Sequence, residues 1–143
     1  MDCGLNCPSV GAGVPIEEAS VESLQKAMTG GSTTSVELVL QYIVRIQTLD
    51  RSGPTLRSVL EVNPDAMDIA RSLDAERIAK GPRGPLHGIP VLIKDNIDTA
   101  DKMKTTAGSL ALLNTPTPKE DAPLVAALRK AGAVILGKTN LSE

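Results

Sequence analysis

The amino-acid sequence predicts an α/β protein in which helices pack on a sheet that is at least partly parallel. The main observation is that helical patterns alternate along the chain with short apolar runs of strand composition. The length of 143 residues suits one hydrophobic core. Hydrophobic residues make up 41% of the chain, but Tyr42 is its only aromatic residue, so the predicted core consists of aliphatic side chains.

The chain is predicted to begin with an irregular arm, residues 1–19, because this stretch is rich in Gly and Pro and has little periodicity. Residues 20–143 are expected to form one folded unit. Cys3 and Cys7 lie in the arm, and with His87 as the only histidine they cannot complete a four-ligand metal site by themselves. We expect two reduced thiols.

Two helices are predicted after the arm. Ser20 is expected to cap the first, which ends near Thr29 at a pair of glycines. Thr34 and Glu37 form a capping box for the second, which runs toward Asp50. The predicted inward stripe of this second helix consists of Val36, Val39, Leu40, Ile43 and Ile46.

A strand, a third helix and a second strand are predicted next. Residues 58–62, "SVLEV", have strand composition. Asn63 is expected to cap a helix that starts at Pro64 and ends before Gly81. The run "IPVLI", residues 89–93, is unbroken and apolar, which predicts a strand buried on both faces.

The last third of the chain is predicted to contain a long connection, a helix and a strand. The connection spans residues 98–119 and has room for one helical turn at "SLALLN", residues 109–114. Asp121 is expected to cap the last helix, with Leu124, Val125 and Leu128 facing inward. The final strand is "AVIL", residues 133–136, and since no crossover helix follows it, one side of it is expected to lie uncovered.

Charge and hydropathy exclude several classes of protein. Fifteen basic and seventeen acidic residues give a net charge of −2, which creates no field that would recruit nucleic acid or an anionic membrane. The first twenty residues lack the basic start and apolar stretch of a secretory signal, and no segment reaches membrane-spanning length. The default expectation is a soluble, cytoplasmic protein without nucleic-acid or membrane partners.

Three short patterns that resemble functional motifs are predicted to have structural roles only. "GAVILGKT", residues 132–139, matches the phosphate-loop pattern, but it follows a helix and its middle residues are strand-like, which argues against nucleotide binding. "GGSTTS", residues 30–35, fits a helix end followed by the next helix cap. His87 precedes a buried strand and is predicted to be a hydrogen-bonded turn residue.

Lys94 is the strongest candidate for a functional residue, because it ends the apolar run in "HGIPVLIKDN", residues 87–96. A lysine at a strand end is usually solvated. The alternative is that the strand end holds the amine at the rim of the sheet, where α/β proteins place their sites. Burial there would favour the neutral amine, which can act as a base.

Three blocks of the sequence, in their order, resemble the amidase signature family, especially its plant and fungal members. They are "GPLHGIPVLIKDNID", "TTAGSLALL" and "DAPLVAALRKAGAVILGKTNLSE". The similarity runs from about Ile16 to Glu143 and is most specific from Gly84 onward. It implies that residues 20–143 are the N-terminal part of an amidase domain, a mixed sheet flanked by helices, with the sheet incomplete in this chain.

The resemblance also implies a function. Family members hydrolyse carboxamides through a Ser, cis-Ser, Lys triad without metal or cofactor, and their lysine corresponds to Lys94. Their two serines follow the "GKTNLSE" block, so this chain is expected to be truncated before both and inactive alone, with a small-molecule amide as the substrate of the full-length form. The alternative is a non-catalytic binding or regulatory module that associates with relatives or with itself through the uncovered sheet edge.

Overall fold

The computed structural model of the protein describes residues 13–142, in which helices flank one three-stranded sheet. The helices are α1 (Val21–Thr29), α2 (Ser35–Arg45), α3 (Ala66–Lys80) and α4 (Pro123–Lys130), and the strands are β1 (Val59–Val62), β2 (Pro90–Lys94) and β3 (Val134–Thr139). A π-helical segment, Ile46–Arg51, continues α2, and a 3-10 turn, Leu110–Leu112, interrupts the long connection before α4. The predicted α/β class is confirmed. Cys3 and Cys7, and the prediction for their thiols, lie outside the described residues.

The last strand is the centre of the sheet. The strand order is β1-β3-β2, with β3 antiparallel to β1 and parallel to β2. Residues 134–138 of β3 are all buried. The expectation that the last strand offers an uncovered edge is therefore wrong, because β1 and β2 pair with its two sides. The predicted self-association was based on that uncovered edge and therefore has no support from the position of β3.

Strand β2 lies at one edge of the sheet, with Leu92 39% exposed. The prediction that this run is buried on both faces is wrong, because only β3 flanks β2 and the side chains of one face lack a full cover. The other face of β2 is covered. Its Ile93 packs in a buried cluster with Met103, Val125 and Ile135.

The capping residues of the first two helices are confirmed. The Ser20 hydroxyl accepts a hydrogen bond from the backbone N–H of Ser23 at 3.1 Å. The Thr34 hydroxyl accepts from the backbone N–H of Glu37 at 3.1 Å, and the Glu37 carboxylate accepts from the backbone N–H of Thr34 at 3.0 Å. These bonds satisfy amide groups that have no partner within a helix, so each helix start is locally encoded.

Helix α2 buries two adjacent faces, and the sequence analysis identified one. Val39 and Ile46 belong to the predicted stripe and pack in the cluster beneath α3 and β3. Leu38 is completely buried in a second cluster with Leu24 and Met28 of α1 and Ile89. Leu40, which was predicted to face inward, is 49% exposed. The prediction for Leu40 is wrong because α1 packs against the face of α2 that carries Leu38.

Helix α3 begins two residues after the predicted start. Pro64 and Asp65 form a turn, and the Asn63 side-chain oxygen accepts from the backbone N–H of Asp65 at 3.0 Å. The Asn63 amide nitrogen donates to the Ile135 carbonyl at 2.8 Å. Asn63 therefore organises the approach to the helix and ties it to β3. The end before Gly81, whose φ is 79°, is as predicted.

Helix α4 starts without the predicted cap. Ala122 occupies the N-cap position and Pro123 is the first helical residue. Asp121 instead accepts from the backbone N–H of Ala100 at 2.7 Å and from Nε of Arg129 at 3.0 Å. The expectation that Asp121 caps α4 is wrong, because this carboxylate ties the long connection to the far end of the helix. Of the three predicted inward residues, Val125 is completely buried, Leu128 is half-buried and Leu124 is 55% exposed.

Candidate active site

Lys94 is the last residue of β2, at the carboxyl end of the parallel pair β2 and β3. It is paired with Thr139, and its Nζ donates to the Ser142 hydroxyl at 3.1 Å. This is the edge of an α/β sheet at which functional groups are commonly placed. The structure therefore brings an amine and a hydroxyl together where the sequence predicted a site.

The Lys94 side chain is exposed, as is usual for a lysine at a strand end, and the buried amine of the alternative interpretation is not observed in these residues. The reason is the edge position of β2. Its solvent-facing side chains have a neighbouring strand on one side only, and Leu92, two residues earlier on the same face, is partly exposed as well.

Asp95 follows Lys94 and points to the opposite face, where it is 2% exposed. Its carboxylate accepts from both the backbone N–H, at 3.1 Å, and the hydroxyl of Thr106. Its backbone N–H donates to the Thr139 carbonyl and its carbonyl accepts from the Ala107 N–H, each at 3.0 Å. Asp95 therefore fixes the backbone that follows Lys94 to both β3 and the long connection.

Lys138, in β3, is the largest completely buried side chain among those the structure describes. Its Nζ donates to the carbonyls of Ile97 and Lys104 at 2.8 and 3.0 Å and to the Thr105 hydroxyl at 3.2 Å. It lies 3.9 Å from the Asp95 carboxylate. Burial lowers the pKa of Lys138 below its ordinary value, and the negative charge of Asp95 opposes that shift.

A cavity of about 400 Å³ opens beside the buried Asp95, between β1 and the long connection. Its lining combines polar groups with apolar side chains from the 3-10 turn. The lining includes the polar residues Glu61, Thr106 and Asn140 and the apolar residues Leu110 and Leu113. The cavity contacts the same segment that follows Lys94, so space for a small molecule exists next to this edge of the sheet.

The three patterns predicted to be structural have structural roles. Residues 134–139 of "GAVILGKT" form strand β3, so the lysine of this pattern lies in a strand and not in a phosphate-binding loop. In "GGSTTS", Ser35 is 1% exposed and donates its hydroxyl to the Gly88 carbonyl at 2.7 Å. His87 is completely buried, accepts from the Arg83 N–H at 3.3 Å and lies 2.9 Å from the Leu73 carbonyl.

Sequence reasoning missed Lys138 and Asp95 as parts of this site. In the sequence, Lys138 stands out only as the lysine of the phosphate-loop pattern, residues 132–139, which was predicted to be structural. The available signal was the unbroken continuation of "AVIL" into "GKT", which would have extended the strand to include it. The buried role of Asp95 depends on Thr106, eleven residues further along the chain, and no local pattern indicates that contact.

Residues 13–142 bring together no group of three His, Cys, Asp or Glu side chains that could hold a metal ion. Within the same residues, no helix combines the length and apolar character that crossing a membrane requires.

Comparisons with known proteins identify the family. The sequence model of the amidase family matches residues 37–143. The structure of native peptide amidase from Stenotrophomonas maltophilia matches with a TM-score of 0.85 and 55% sequence identity, over 90% of this chain and 26% of that one. An amidase family protein from Bacillus anthracis matches with a TM-score of 0.83 and 42% identity, over 92% of this chain and 28% of its own.

A curated relative agrees with the structural matches. An amidase-family protein of Schizosaccharomyces pombe is 45% identical over 130 residues, which are 91% of this chain and 22% of that protein. This chain therefore spans about a quarter of the length of the relatives that it matches. Sequence and fold agree over nine tenths of the chain, and the chain belongs to the amidase family.

Proposed function

We propose that this chain supplies the base, Lys94, of an amide-hydrolysing site of the Ser, cis-Ser, Lys type. The observation that carries the proposal is the position of Lys94 at the carboxyl end of β2, where a hydroxyl can come within hydrogen-bond distance of its amine, as the 3.1 Å bond from Nζ to the Ser142 hydroxyl demonstrates. Proton transfer between an amine and a hydroxyl requires this separation. Family membership supports the reaction class.

In the proposed reaction the neutral Lys94 amine accepts a proton from a bridging serine, which in turn accepts one from the nucleophilic serine. The nucleophile attacks the carboxamide carbon, and the amide nitrogen leaves as ammonia after it is protonated. Water then hydrolyses the acyl-enzyme. The open sheet edge leaves room for the two serines to approach Lys94, and the segment that carries them would cover the amine and so favour its neutral form.

The resemblance implies that those serines lie in a Gly- and Ser-rich segment after the "GKTNLSE" block. We therefore propose that catalysis requires a segment outside these 143 residues and that the 143-residue polypeptide alone releases no ammonia from amides. Ser142 belongs to the block itself and is not assigned as the bridging serine.

A chimeric enzyme tests this proposal. Residues 13–142 replace the equivalent part of the Stenotrophomonas maltophilia peptide amidase, with which this chain shares 55% identity. Ammonia release from a panel of carboxamides is measured against the parent enzyme. We expect an active chimera in which Lys94→Ala lowers kcat about 10²- to 10⁴-fold, the usual contribution of a positioned base.

Two matched variants sharpen the result. Lys119→Ala makes the same change at an exposed position in the long connection and should leave kcat unchanged. Ser142→Ala removes the hydroxyl that Lys94 contacts and should change kcat by less than about tenfold, the effect of one exposed hydrogen bond. Full activity of the Lys94→Ala chimera, or a folded chimera that hydrolyses no amide, would overturn the proposal. Loss of activity on Ser142→Ala would reassign the bridging serine to this chain.

The non-catalytic alternative loses its support in the fold. Its cue was an open edge at the last strand, and β3 is the central strand of the sheet.

A further inference from the structure

The buried Lys138 ties β3 to the segment that leaves β2 directly after Lys94. Its Nζ donates to acceptors at Ile97, Lys104 and Thr105, which lie at both ends of this segment. The segment makes a loop of about ten residues, and a single ammonium group therefore holds its two ends beside one strand. Among the hydrogen bonds of the described residues, no other side-chain atom bonds to three points of this loop.

The same network reaches the backbone of Lys94. The Ile97 N–H donates to the Lys94 carbonyl at 3.1 Å, and the Ile97 carbonyl accepts from Lys138 at 2.8 Å. The N–H of the same peptide group, that of Asp95, donates to the Thr139 carbonyl, next to Lys138 in β3. The peptide group between Lys94 and Asp95 is thus held through both its carbonyl and its N–H, by two paths that end in the same part of β3.

Stability alone does not explain a lysine at this position. Removing an amine from water is costly, and apolar side chains of similar volume commonly serve a core equally well or better. What an apolar residue cannot provide is directed donation to three fixed acceptors. The advantage of lysine here is therefore geometric.

We propose that Lys138 is a positioning residue that fixes the orientation of Lys94 at the end of β2. This inference rests on the proposed role of Lys94 as the base. The amine of Lys94 extends from a backbone whose direction depends on the turn at residues 95–97, and Lys138 holds that turn. A base that is displaced by a fraction of its hydrogen-bond length loses alignment with the hydroxyl it must deprotonate.

Hydrogen exchange measures the positioning effect without depending on catalysis. The variant is Lys138→Met, which keeps an unbranched side chain only one atom shorter and removes its donors. It is compared with wild type in the full 143-residue chain and in the chimera. We expect exchange of the amides of Asp95, Ile97 and Thr106 to accelerate about tenfold or more. The Asn63 and Val134 amides, which bond to the carbonyls of Leu136 and Ile89 outside this loop, should change much less.

Two further variants keep the test decisive. Thr105→Val removes one of the three acceptors and leaves the lysine in place, so it should produce a smaller change in the same amides even where Lys138→Met fails to fold. Lys119→Met makes the same substitution at an exposed lysine in the long connection and should have no effect. Equal acceleration of all amides, or no acceleration near Lys94, would show that Lys138 has a general structural role or none.

Kinetics of the chimera separate this inference from the proposed function. If Lys138 positions the base, Lys138→Met should lower kcat about tenfold or more and leave KM nearly unchanged, because the substrate site remains. An active Lys94→Ala chimera would refute the function and leave the exchange result standing. An inactive Lys94→Ala chimera with unchanged kcat for Lys138→Met would refute the positioning role alone.

Discussion

Lys138 is paired with Ile93, the residue before Lys94, and yet the Lys138 side chain is completely buried whereas that of Lys94 is exposed. The two lysines lie near the carboxyl ends of neighbouring parallel strands and point to opposite faces of the sheet. One face is covered by α4 and the long connection, where Lys138 finds its three acceptors. The other face is open at this edge, so the amine of Lys94 remains accessible.

The difference in exposure predicts different reactivity. An amine-acetylating reagent should modify Lys94 and the exposed Lys119 at similar rates, and Lys138 about tenfold or more slowly, because reaction at Lys138 requires local opening of the loop. Mass spectrometry of proteolytic peptides at increasing reagent times measures the rates. Comparable modification of Lys94 and Lys138 in the folded protein would contradict the burial of Lys138.

The two faces of α2 predict a contrast between adjacent leucines. Leu38→Ala removes a completely buried side chain and should lower the free energy of unfolding by about 2–5 kcal/mol. Leu40→Ala makes the same change at a half-exposed position on the same helix and should cost less than about 1 kcal/mol. Urea unfolding of both variants checks this. An equal loss in the free energy of unfolding would mean that Leu40 is buried as deeply as Leu38.

Gly137 lies in the middle of β3, where an added Cβ would overlap the backbone carbonyl of Glu61 in β1. Because that carbonyl belongs to the paired strand, it can move only if the pairing of β1 and β3 is disturbed. Gly137→Ala should therefore lower the free energy of unfolding by about 1–3 kcal/mol, as overpacking does. Gly84→Ala is the matched control, because no atom lies within 4 Å of its added Cβ. Identical unfolding curves for the two variants would contradict the close approach of the strands.

Local signals in the sequence were sufficient for most elements of the fold. The caps at Ser20 and Thr34 are formed by residues three positions away, so the pattern contains the whole interaction. The strand that ends at Lys94 is likewise recognisable from an unbroken apolar run. These predictions needed no knowledge of where the elements pack.

Features that depend on distant contacts were not predictable in this way. The burial of Leu38 depends on α1, and the exposure of Leu92 depends on the order of the strands. For the candidate site, the sequence indicated Lys94 but could not indicate Lys138, whose acceptors are 33 to 41 residues earlier in the chain. A lysine becomes a core residue only where the fold provides such acceptors.

The hydrogen bonds of the Asp50 carboxylate predict how the free energy of unfolding changes in acid. It is 4% exposed at the end of the π-helical segment, and it accepts from the Ser58 hydroxyl and from the backbone N–H groups of Ser58 and Val59, at 2.6 and 3.1 Å. These bonds join the helix to the start of β1. The hydroxyl of Ser58 is the main reason that the pKa of Asp50 is lowered, and the backbone donors contribute as well. Because these donors favour the ionised carboxylate, the pKa is lower in the folded than in the unfolded state.

The sign of the pH effect follows from that difference. The stabilisation by Asp50 is complete above the ordinary carboxyl pKa of about 3.9 and is lost as the pH falls through the lowered pKa of the folded state. Asp50→Asn and Ser58→Ala should both reduce stability at pH 7 and flatten its decline in acid, whereas Ser52→Ala, at an exposed serine nearby, should retain the wild-type slope. Urea unfolding between pH 7 and the acid limit of folding measures these slopes. A Ser58→Ala slope as steep as that of wild type would mean that the hydroxyl does not hold the Asp50 carboxylate in its ionised form.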